Sequence, residues 1–496
     1  GLTQGNGKNN RDGLGATLEL RAGSAYQFRE AAGQVTHFGL GQRRQADLLR
    51  VVWTNGVPQN RIQPSGEQRV VEEQVLKGSC PFLYTWDGER FAFVTDLLWN
   101  APIGLPVAPG KWVPPDPEEL VRVDGARPDG GVYKLRITEE LWEAAFFDHT
   151  RLWVVDHPAG VEVASSLRVT PGGPPDGPDR VVASRGLRPV VSALDGTGAD
   201  MTERVRERDE VYAGGYPESS YQGMSGEPWA FTFDLGEAPG RPLRLHLDGW
   251  IFPADASLNL AAAQRPDLAY VPPRLEVETA DGWQVLVPAM GHPAGKTKTL
   301  VVDTPPLPAG VSRLRIVTTL WLAWDRVAWS PEPVDSEPVV RARLLPSEAD
   351  LRYRGFSELV RRSPNGPHGY DYSRVASESP WLPFPGRYTR YGEVRELLES
   401  PDDRTVVLAP GDEIALTFDA SALPPLQEGW TRTVFLESHG WDKDADRNTW
   451  EARQMEPLPF RGMSGYPYAP GETYPDTPEL REYREKWLTR EIASPP

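Results

Sequence analysis

The sequence predicts an all-β, multidomain protein built from β-sandwich or jelly-roll modules, with a short C-terminal helix. Proline and glycine, 50 and 47 of 496 residues, form about a fifth of the chain, against an average of about 12%. Period-two alternation recurs along the chain, and two Asp-Gly pairs separate strand-like runs. Disordered chains lack aromatic residues, whereas 17 Trp, 16 Tyr and 15 Phe are spread through this one. The chain therefore folds, and its length predicts several domains.

Residues 1–75 are predicted to form the first module. Residues 16–20 and 49–53 alternate between apolar and polar side chains, which indicates half-buried strands. Gly13, Gly15, Gly39 and Gly41 serve turns or close backbone contacts. His37 is interpreted as a hydrogen-bonded structural residue.

Three motifs in this module stand in a fixed order. Residues 9–20 read NNRDGLGATLEL, residues 37–41 read HFGLG, and residues 49–59 read LRVVWTNGVPQ. Together they resemble the ASPIC/UnbV domain, which is found with FG-GAP repeats and in the cartilage acidic protein family. The resemblance implies an extracytoplasmic protein, secreted, periplasmic or on the outer cell surface. Because such a domain usually follows a propeller or repeat region, the chain is expected to be the C-terminal part of a longer precursor. The family has no established chemistry.

Residues 76–170 are predicted to form a hairpin-rich module. Asp87-Gly88 lies between two apolar runs, the strongest short-range signal for a β-hairpin, and further strands are predicted at 133–138 and 150–155. Residues 78–102 resemble a C-terminal extension of bacterial ASPIC/UnbV proteins that has no known function. The proline-rich segment 171–178 excludes helix and central strand and marks a boundary.

Residues 180–345 are predicted to form a β-sandwich. Its strands are placed at 229–235, 243–249, 274–279, 283–287, 297–302 and 314–320, with a second hairpin at Asp281-Gly282. The pattern resembles a galactose-binding-like jelly roll, a fold of many carbohydrate-binding modules.

Residues 346–470 are predicted to form a second sandwich-like module. Asp248-Gly249-Trp250 followed by Asp255 is echoed by His439-Gly440-Trp441 followed by Asp446. A short helix is predicted at 392–399. Residues 471–496 are predicted to carry the C-terminal helix, capped by Asp476 or Thr477.

Charge and hydropathy exclude several classes of partner. The formal net charge is −17, and basic residues alternate with acidic ones, so nucleic acid and anionic membranes are poor partners. The sequence has no apolar run of 18 residues, so no transmembrane segment is predicted. The single cysteine, Cys80, excludes an internal disulfide framework.

Several segments resemble catalytic motifs but lack the required spacing or structural context. Residues 291–297 imitate a phosphate-binding loop but precede a strand pattern instead of a helix. Residues 223–226 and 462–465 lack the second glycine of a nucleophile elbow. The pairs Asp148-His149 and Asp156-His157 stand at opposite ends of a strand, about 25 Å apart.

The predicted metal site is the acidic segment that contains Asp442, Asp444, Asp446 and Asn448. Alternating oxygen ligands in a loop suit Ca²⁺, which prefers six to eight oxygens. Arg447 and Arg453 occupy the positions where an EF-hand needs Gly and Glu, so a different calcium loop or a solvated acidic turn are the alternatives.

The predicted function is non-catalytic binding or assembly outside the cytoplasm, with a glycan or a protein as the partner. Some of the aromatic residues Trp321, Trp324, Trp329, Trp381 and Phe384 could be exposed and form its surface, and core packing is the alternative for each of them. The alternatives are a polysaccharide-active enzyme, whose paired carboxylates the sequence does not identify, and a purely structural subunit of a surface complex.

Overall fold

The computed structural model describes residues 2–4, 9–73, 81–170, 179–217, 223–265, 268 and 270–493. Cys80 and the predicted boundary at 171–178 lie outside these residues. Antiparallel strands dominate the described part of the chain, and its α-helices are short. The predicted all-β fold with a short C-terminal helix is confirmed.

The N-terminal module, residues 2–73, is a small sheet with one buried face. Its strands are β1 (Leu2–Gln4), β2 (Thr17–Ala22), β3 (Ala25–Glu30), β4 (Leu48–Val52), β5 (Pro58–Ile62) and β6 (Arg69–Val71). The order β3-β2-β4-β5 is antiparallel, and β1 pairs with β6 in parallel. Leu18, Leu20 and Val51 lie in its core beside Trp53, whose Nε1 donates to Gln59 Oε1 at 2.8 Å. The strands predicted at 16–20 and 49–53 are present.

The next part of the chain begins with the first predicted Asp-Gly hairpin. Its strands are β7 (Phe82–Trp86), β8 (Phe91–Asp96), β9 (Pro106–Ala108), β10 (Lys111–Trp112), β11 (Glu118–Arg122), β12 (Val132–Thr138), β13 (Glu143–Pro158) and β14 (Val161–Ser165). β7 and β8 are antiparallel neighbours, and Gly88 between them has a φ of 106°. A positive φ of this kind favours glycine, which explains the turn.

The central part contains the second predicted hairpin and a helix that the sequence analysis missed. Its elements are β15 (Val181–Arg185), β16 (Arg188–Pro189), β17 (Ser192–Leu194), β18 (Met224–Asp234), β19 (Arg244–Ile251), α1 (Ala256–Ala263), β20 (Arg274–Thr279), β21 (Gly282–Val287), β22 (Lys298–Asp303), β23 (Arg313–Leu320), β24 (Leu322–Ser330) and β25 (Glu332–Pro333). α1 begins where the Asp255 side chain accepts a hydrogen bond from Leu258 N at 2.8 Å.

The last part of the chain adds strands to the sheets that contain the first hairpin and β13. Its elements are β26 (Val339–Leu344), β27 (Glu348–Tyr353), β28 (Phe356–Val360), β29 (Gly369–Ala376), β30 (Gly386–Tyr388), β31 (Gly392–Glu393), β32 (Val406–Leu408), β33 (Asp412–Asp419), β34 (Trp430–Asp444), α2 (Pro478–Trp487) and β35 (Arg490–Ile492). The helix predicted at 392–399 is wrong. β31 occupies its first residues by pairing with β27, so that only a 3-10 turn, Arg395–Leu397, remains.

Most strands from β7 onward form two sandwiches, and the others pair in four small sheets: β9 with β10, β14 with β15 and β25, β28 with β29, and β30 with β35. In sandwich one, a sheet of order β31-β27-β33-β12-β7-β8 shares a core with a sheet of order β11-β34-β13-β26, in which β32 also pairs with β13. In sandwich two, a sheet of order β17-β18-β23-β20-β21 shares a core with a sheet of order β16-β24-β19-β22. The predicted sandwich over residues 180–345 therefore contains one strand more in its centre, β24, than the sequence analysis placed there.

The two sandwiches have matching strand orders, but their chains are circularly permuted. β7, β8, β11, β12, β13, β26, β27, β33 and β34 correspond in that order to β20, β21, β22, β23, β24, β16, β17, β18 and β19. The two Asp-Gly hairpins are equivalent, and Gly249-Trp250 and Gly440-Trp441 lie on the equivalent strands β19 and β34. The similarity in sequence between the segments around Trp250 and Trp441 therefore lies at matching positions of two similar folds.

Sandwich one is discontinuous in sequence, because sandwich two lies between its β13 and β26. β12 pairs with β33 and β13 pairs with β34 over almost their full lengths. Segments that the sequence analysis divided into modules at 76–170 and 346–470 therefore share both sheets. The prediction of two separate modules did not include the pairing of β12 with β33 and of β13 with β34, because a period-two pattern identifies strands but not the strands beside them.

The predicted C-terminal helix is present and packs on sandwich one. Thr477 caps α2, Pro478 occupies its first turn, and Leu480, Tyr483 and Trp487 are buried in the core of sandwich one. Tyr483 Oη donates to the carbonyl oxygen of Thr405 at 2.7 Å. The helix is thus held by both apolar contacts and a buried hydrogen bond.

Candidate functional site

Residues 442–448, which we call the junction loop, connect all three parts of the protein. Its first three residues are the last three of β34 in sandwich one, and the rest of it reaches α1 of sandwich two. Ser257 in the first turn of α1 donates from its backbone N to Asp446 Oδ2 at 2.9 Å and from Oγ to Asp446 Oδ1 at 3.0 Å. Asn448 Nδ2 donates to Ser257 Oγ at 2.9 Å. A buried carboxylate at the N-terminus of a helix is favoured by the helix dipole.

Arg447 of the junction loop holds the N-terminal module. Its backbone N donates to the carbonyl oxygen of Thr54 at 2.9 Å, and its guanidinium donates to Thr17 Oγ1 at 2.7 Å and to the carbonyl oxygen of Gly15. Gly56 packs so closely on Ala445 that a Cβ would overlap the Ala445 carbonyl. The acidic segment that suggested a calcium loop is therefore a structural junction in this fold.

Three buried carboxyl groups meet at the start of the junction loop. Oxygens of Glu139, Glu143 and Asp442, which we call the carboxylate group, lie within 4.8 Å of one another. Their exposed fractions are 0%, 4% and 6%. Asp442 pairs with Ala145 in the register of β13 and β34, which brings β34 beside Glu143 and the β12–β13 connection that carries Glu139. Burial, and next the charge of Glu143, raise the pKa of Asp442 well above its usual range.

The four residues of the predicted calcium site have different surroundings. Asp442 belongs to the carboxylate group, whereas Asp446 and Asn448 contact Ser257, and Asp444 Oδ1 accepts from Asp446 N at 2.6 Å. Calcium binding by the loop itself stays a prediction. Glu139 and Glu143 were missed, although two acidic residues four apart at the start of a buried strand are a visible signal.

A second buried charge cluster joins the two sandwiches. Lys298 Nζ, at the start of β22, lies 2.5 Å from Asp96 Oδ1, at the end of β8, and Lys296 N donates to the same carboxylate at 3.0 Å. Asp96 is fully buried and Lys298 is 9% exposed. Glu119 lies nearby and accepts from Leu98 N at 2.7 Å and from Ser438 Oγ at 3.1 Å. Burial raises the pKa of Glu119 to about 7.

Replacing Glu119 by glutamine is expected to remove part of the pH dependence of stability. The unfolded chain releases the Glu119 proton near its usual pKa of 4.5, whereas the folded protein keeps it up to about 7. The folded state therefore loses stability as pH rises from about 4.5 to about 7, by about 3 kcal/mol from this group. Urea denaturation at pH 5 and pH 8 measures the difference. Equal pH slopes for wild type and Glu119→Gln would show that Glu119 ionises normally.

A cavity of about 350 Å³ lies beside this cluster, between the two sandwiches. Charged and polar residues that line it include Arg122, Asp124, Glu210, Tyr212, Asp325 and Arg362. Arg122 is ion-paired with Asp124 at 2.9 Å, and Arg362 with Glu210 at 2.7 Å. Asp325 Oδ1 accepts from Asp209 N at 3.3 Å. Asp124, Glu210 and Asp325 therefore each have a partner among the described residues.

The weaker catalytic candidates all have internal partners. Ser225 Oγ donates to the carbonyl oxygens of Glu227 and Thr319, and Ser464 contacts Glu472. Asp148 accepts from the backbone of residues 402 and 403, and Asp156 is ion-paired with Arg341 and Arg432. These contacts hold loops and strand ends in place, as expected of structural residues.

The aromatic residues proposed as a surface lie mainly inside the protein. Trp324 and Trp329, on β24, are 0% and 1% exposed in the core of sandwich two, and Phe384 is buried in sandwich one. Trp321 stacks on Tyr216 with ring centroids 4.5 Å apart. Core packing, the alternative for each of these residues, therefore holds for Trp324, Trp329 and Phe384, and β24 is a central strand that the sequence analysis did not place.

Two exposed aromatic residues lie side by side on the N-terminal module. Tyr26 and Phe28 on the edge strand β3 are 52% and 50% exposed, and Ile62 on β5 is 74% exposed. The register aligns Tyr26, Arg21, Leu48 and Ile62 in one row across the sheet, and Phe28, Glu19, Arg50 and Asn60 in the next. We call these two rows the outer face. It is opposite to the side chains of Leu18 and Leu20, which are buried.

The arrangement defines a chain of two related β-sandwiches that carries a small N-terminal sheet module. Residues 5–75 match the family described as ASPIC and UnbV, so the resemblance noted in the sequence is confirmed for this module. This domain is associated with extracellular proteins. No curated protein and no solved structure matches the chain.

The described part of the chain has no helix suited to crossing a membrane. α1 and α2 have 8 and 10 residues, far fewer than a membrane-spanning helix needs.

Proposed function

We propose that the protein acts outside the cytoplasm as a non-catalytic binding protein, and that the outer face of its ASPIC/UnbV module binds a protein partner. The observation that carries the proposal is the exposure of Tyr26, Phe28 and Ile62 on one side of a four-stranded sheet. Large apolar side chains on a water-facing sheet lose contact with water when a partner covers them, which favours binding.

The composition of the outer face fits a protein interface. Aromatic residues and arginine dominate binding energies at interfaces, and the two rows contain both types. Arg50 lies 3.8 Å from Glu19, so part of the charge on the face is already paired. Arg50 Nε also donates to Asn60 Oδ1 at 3.1 Å, so charged and polar side chains lie between the aromatic residues of edge strand β3 and Ile62 on edge strand β5.

A glycan is the second candidate partner. Tyr26 and Phe28 are two residues apart on one strand and so point to the same side, where sugar rings could stack on them. Ile62, at the other edge of the sheet, favours a protein, because an aliphatic side chain offers no flat ring for stacking.

The joint replacement Tyr26→Ser and Phe28→Ser is expected to weaken partner binding at least about 30-fold, since loss of hot-spot residues costs about 2 kcal/mol or more. Quantitative capture from extracytoplasmic extracts and a glycan array, each with and without Ca²⁺, measure the effect. Val285→Ser is the matched control, because Val285 is 55% exposed on a strand of sandwich two. Thermal melting of the variants should match the wild type.

The outcomes separate the candidates. Loss of a captured protein in the double variant, but not in Val285→Ser, supports the protein interface. Loss of array binding alone assigns the face to a glycan. Unchanged binding in both assays contradicts a role for the outer face. Turnover of a polysaccharide by the purified protein would contradict the non-catalytic function.

A further inference from the structure

We propose that the side chains of Lys298 and Asp96 condense into an amide bond that links the two sandwiches covalently, with Glu119 as the residue that transfers the protons. The reaction is a self-modification that occurs once in each folded chain. It needs neither the outer face nor a binding partner, so it goes beyond the proposed function. Three observations support it: the contact between the reacting groups, their burial, and one carboxyl oxygen of Glu119 that has no hydrogen-bond partner.

The two reacting groups are already in contact. Lys298 Nζ lies 2.5 Å from Asp96 Oδ1, which places it within about 3.7 Å of the carboxyl carbon, since a carbon–oxygen bond is about 1.23 Å long. Reacting atoms that are positioned for attack lie about 3–3.5 Å apart. Gly295 makes this approach possible, because a Cβ there would overlap Asp96 Oδ2. The fold therefore holds the amine beside the carbon that it would attack.

Both groups are shielded from bulk water, which favours condensation over hydrolysis. Asp96 is fully buried, and Lys298 is 9% exposed. By contrast, the ion pairs Lys134–Asp129 and Lys486–Glu396 lie on the surface, where the side chains are 36–59% exposed. Those pairs meet water and should stay ion pairs.

Glu119 provides the acid that the condensation needs. Its Oε1 accepts hydrogen bonds from Leu98 N and Ser438 Oγ, whereas its Oε2 is buried without a hydrogen-bond partner among the described residues. Burial is the main cause that raises the pKa of Glu119 to about 7, and Lys298 and Asp96 are the charges that act most strongly on it. At neutral pH the carboxyl group therefore carries a proton in a large share of the molecules and can donate it.

The reaction begins with a proton transfer inside the ion pair. One proton passes from the Lys298 ammonium to the Asp96 carboxylate along their hydrogen bond, because a buried pair lacks the hydration that favours charges in water. The lone pair of Nζ then attacks Cγ of Asp96. Lys296 N donates to both carboxyl oxygens at 3.0 Å and stabilises the negative charge that develops there.

The reaction ends with the loss of one water molecule. Glu119 gives its proton to the departing oxygen and takes one from the nitrogen. The Nζ–Cγ bond forms, one Cγ–O bond breaks, and the two protons that leave with the oxygen both come from the ammonium group. No oxidant or second reactant is needed. The cavity of about 350 Å³ that Lys298 lines has room for the released water.

The bond would connect β8 of sandwich one to β22 of sandwich two, between residues 202 positions apart. The single cysteine of the chain cannot provide such a link through an internal disulfide. The amide N–H that remains on Lys298 can still donate to the carbonyl oxygen of Ala294, which the ammonium already contacts. Until the bond forms, Lys298 and Asp96 stabilise the contact between the sandwiches as an ion pair.

Intact mass spectrometry of the denatured full chain tests the bond. The wild type is expected to weigh less than its sequence by the mass of one water molecule. Trypsin should release a branched peptide that joins residues 91–111 to residues 297–313, because the modified Lys298 is no longer cleaved. Succinimide formation at Asp87-Gly88 or Asp281-Gly282 also removes one water, but a succinimide hydrolyses at mildly alkaline pH and gives no branched peptide.

Two variants separate the reaction from the ion pair. Lys298→Arg keeps a cation beside Asp96, but a guanidinium stays protonated and does not attack, so this variant should have the full mass of its sequence. Glu119→Gln keeps both reacting residues and should also have the full mass, because an amide is no acid. Lys134→Arg, at an exposed ion pair, is the matched control and should lose one water as the wild type does. Circular dichroism checks that each variant is folded.

The masses and peptides decide between the possible outcomes. A wild-type mass equal to that of its sequence contradicts the bond. A loss of water that Lys298→Arg retains also contradicts it, since the loss then lies at another residue. A branched peptide from Glu119→Gln in the same amount as from the wild type contradicts the role of Glu119.

Discussion

Replacing Lys298 by methionine is expected to lower the free energy of unfolding by about 3–5 kcal/mol, because it leaves the buried Asp96 carboxylate without its cation. The Lys298 ammonium also donates to the carbonyl oxygen of Ala294, so the same change removes a second buried contact. Since Asp96 is in sandwich one and Lys298 in sandwich two, the loss weakens the contact between the sandwiches. Urea denaturation measures the change.

The double variant Lys298→Met with Asp96→Asn distinguishes a lost ion pair from lost packing. If the uncompensated charge is the cause, the double variant should be more stable than Lys298→Met alone. Arg395→Met is the control, because Arg395 and Glu399 form an exposed pair, and such pairs contribute at most about 1 kcal/mol. A loss for Lys298→Met as small as that of the control would contradict the importance of the buried pair.

Replacing Gly440 by alanine is expected to destabilise the protein by about 3 kcal/mol, at the upper end for overpacking in a core. A Cβ on Gly440 would overlap the carbonyl oxygen of Phe146 on β13 and lie 3.2 Å from Leu98. Backbone cannot yield as a side chain can, so β13 and β34 would have to separate beside the carboxylate group. Thermal and urea denaturation both report the loss.

The equivalent glycine of sandwich two provides an internal test. A Cβ on Gly249 would lie 2.6 Å from the carbonyl oxygen of Ala323 and 2.5 Å from the Trp324 ring, so Gly249→Ala should cause a comparable loss. Gly39→Ala is the control, because a Cβ there meets no atom within 4 Å. Tolerance of alanine at both Gly440 and Gly249 would contradict the idea that the repeated Gly-Trp pair serves close strand contact.

Local patterns in the sequence were sufficient for several elements. Asp87-Gly88 and Asp281-Gly282 predicted hairpins that are present, since a tight turn depends on a few adjacent residues. Thr477, Pro478 and the apolar face of α2 predicted the C-terminal helix for the same reason. The spacing of three motifs identified the ASPIC/UnbV module, which the family match confirms.

Contacts between distant strands could not be predicted in this way. Period-two alternation shows which residues share a face, but the carboxylate group is set by the register of β13 on β34, whose paired residues are 272 (Pro158 and Trp430) to 301 (Glu143 and Asp444) positions apart. The local pattern also did not identify β24 as a central strand, so only the structure shows that its tryptophans are in the core of sandwich two.

What the sequence by itself determined is the fold class, the turns, the end helix and the family of the first module, because each depends on residues that are close along the chain. Only the tertiary structure decided that the two sandwiches are circular permutants, that residues 442–448 form a junction, and that Tyr26 and Phe28 stay exposed. Those features depend on which strands become neighbours, and burial of a common core selects that pairing among many that the same local pattern allows.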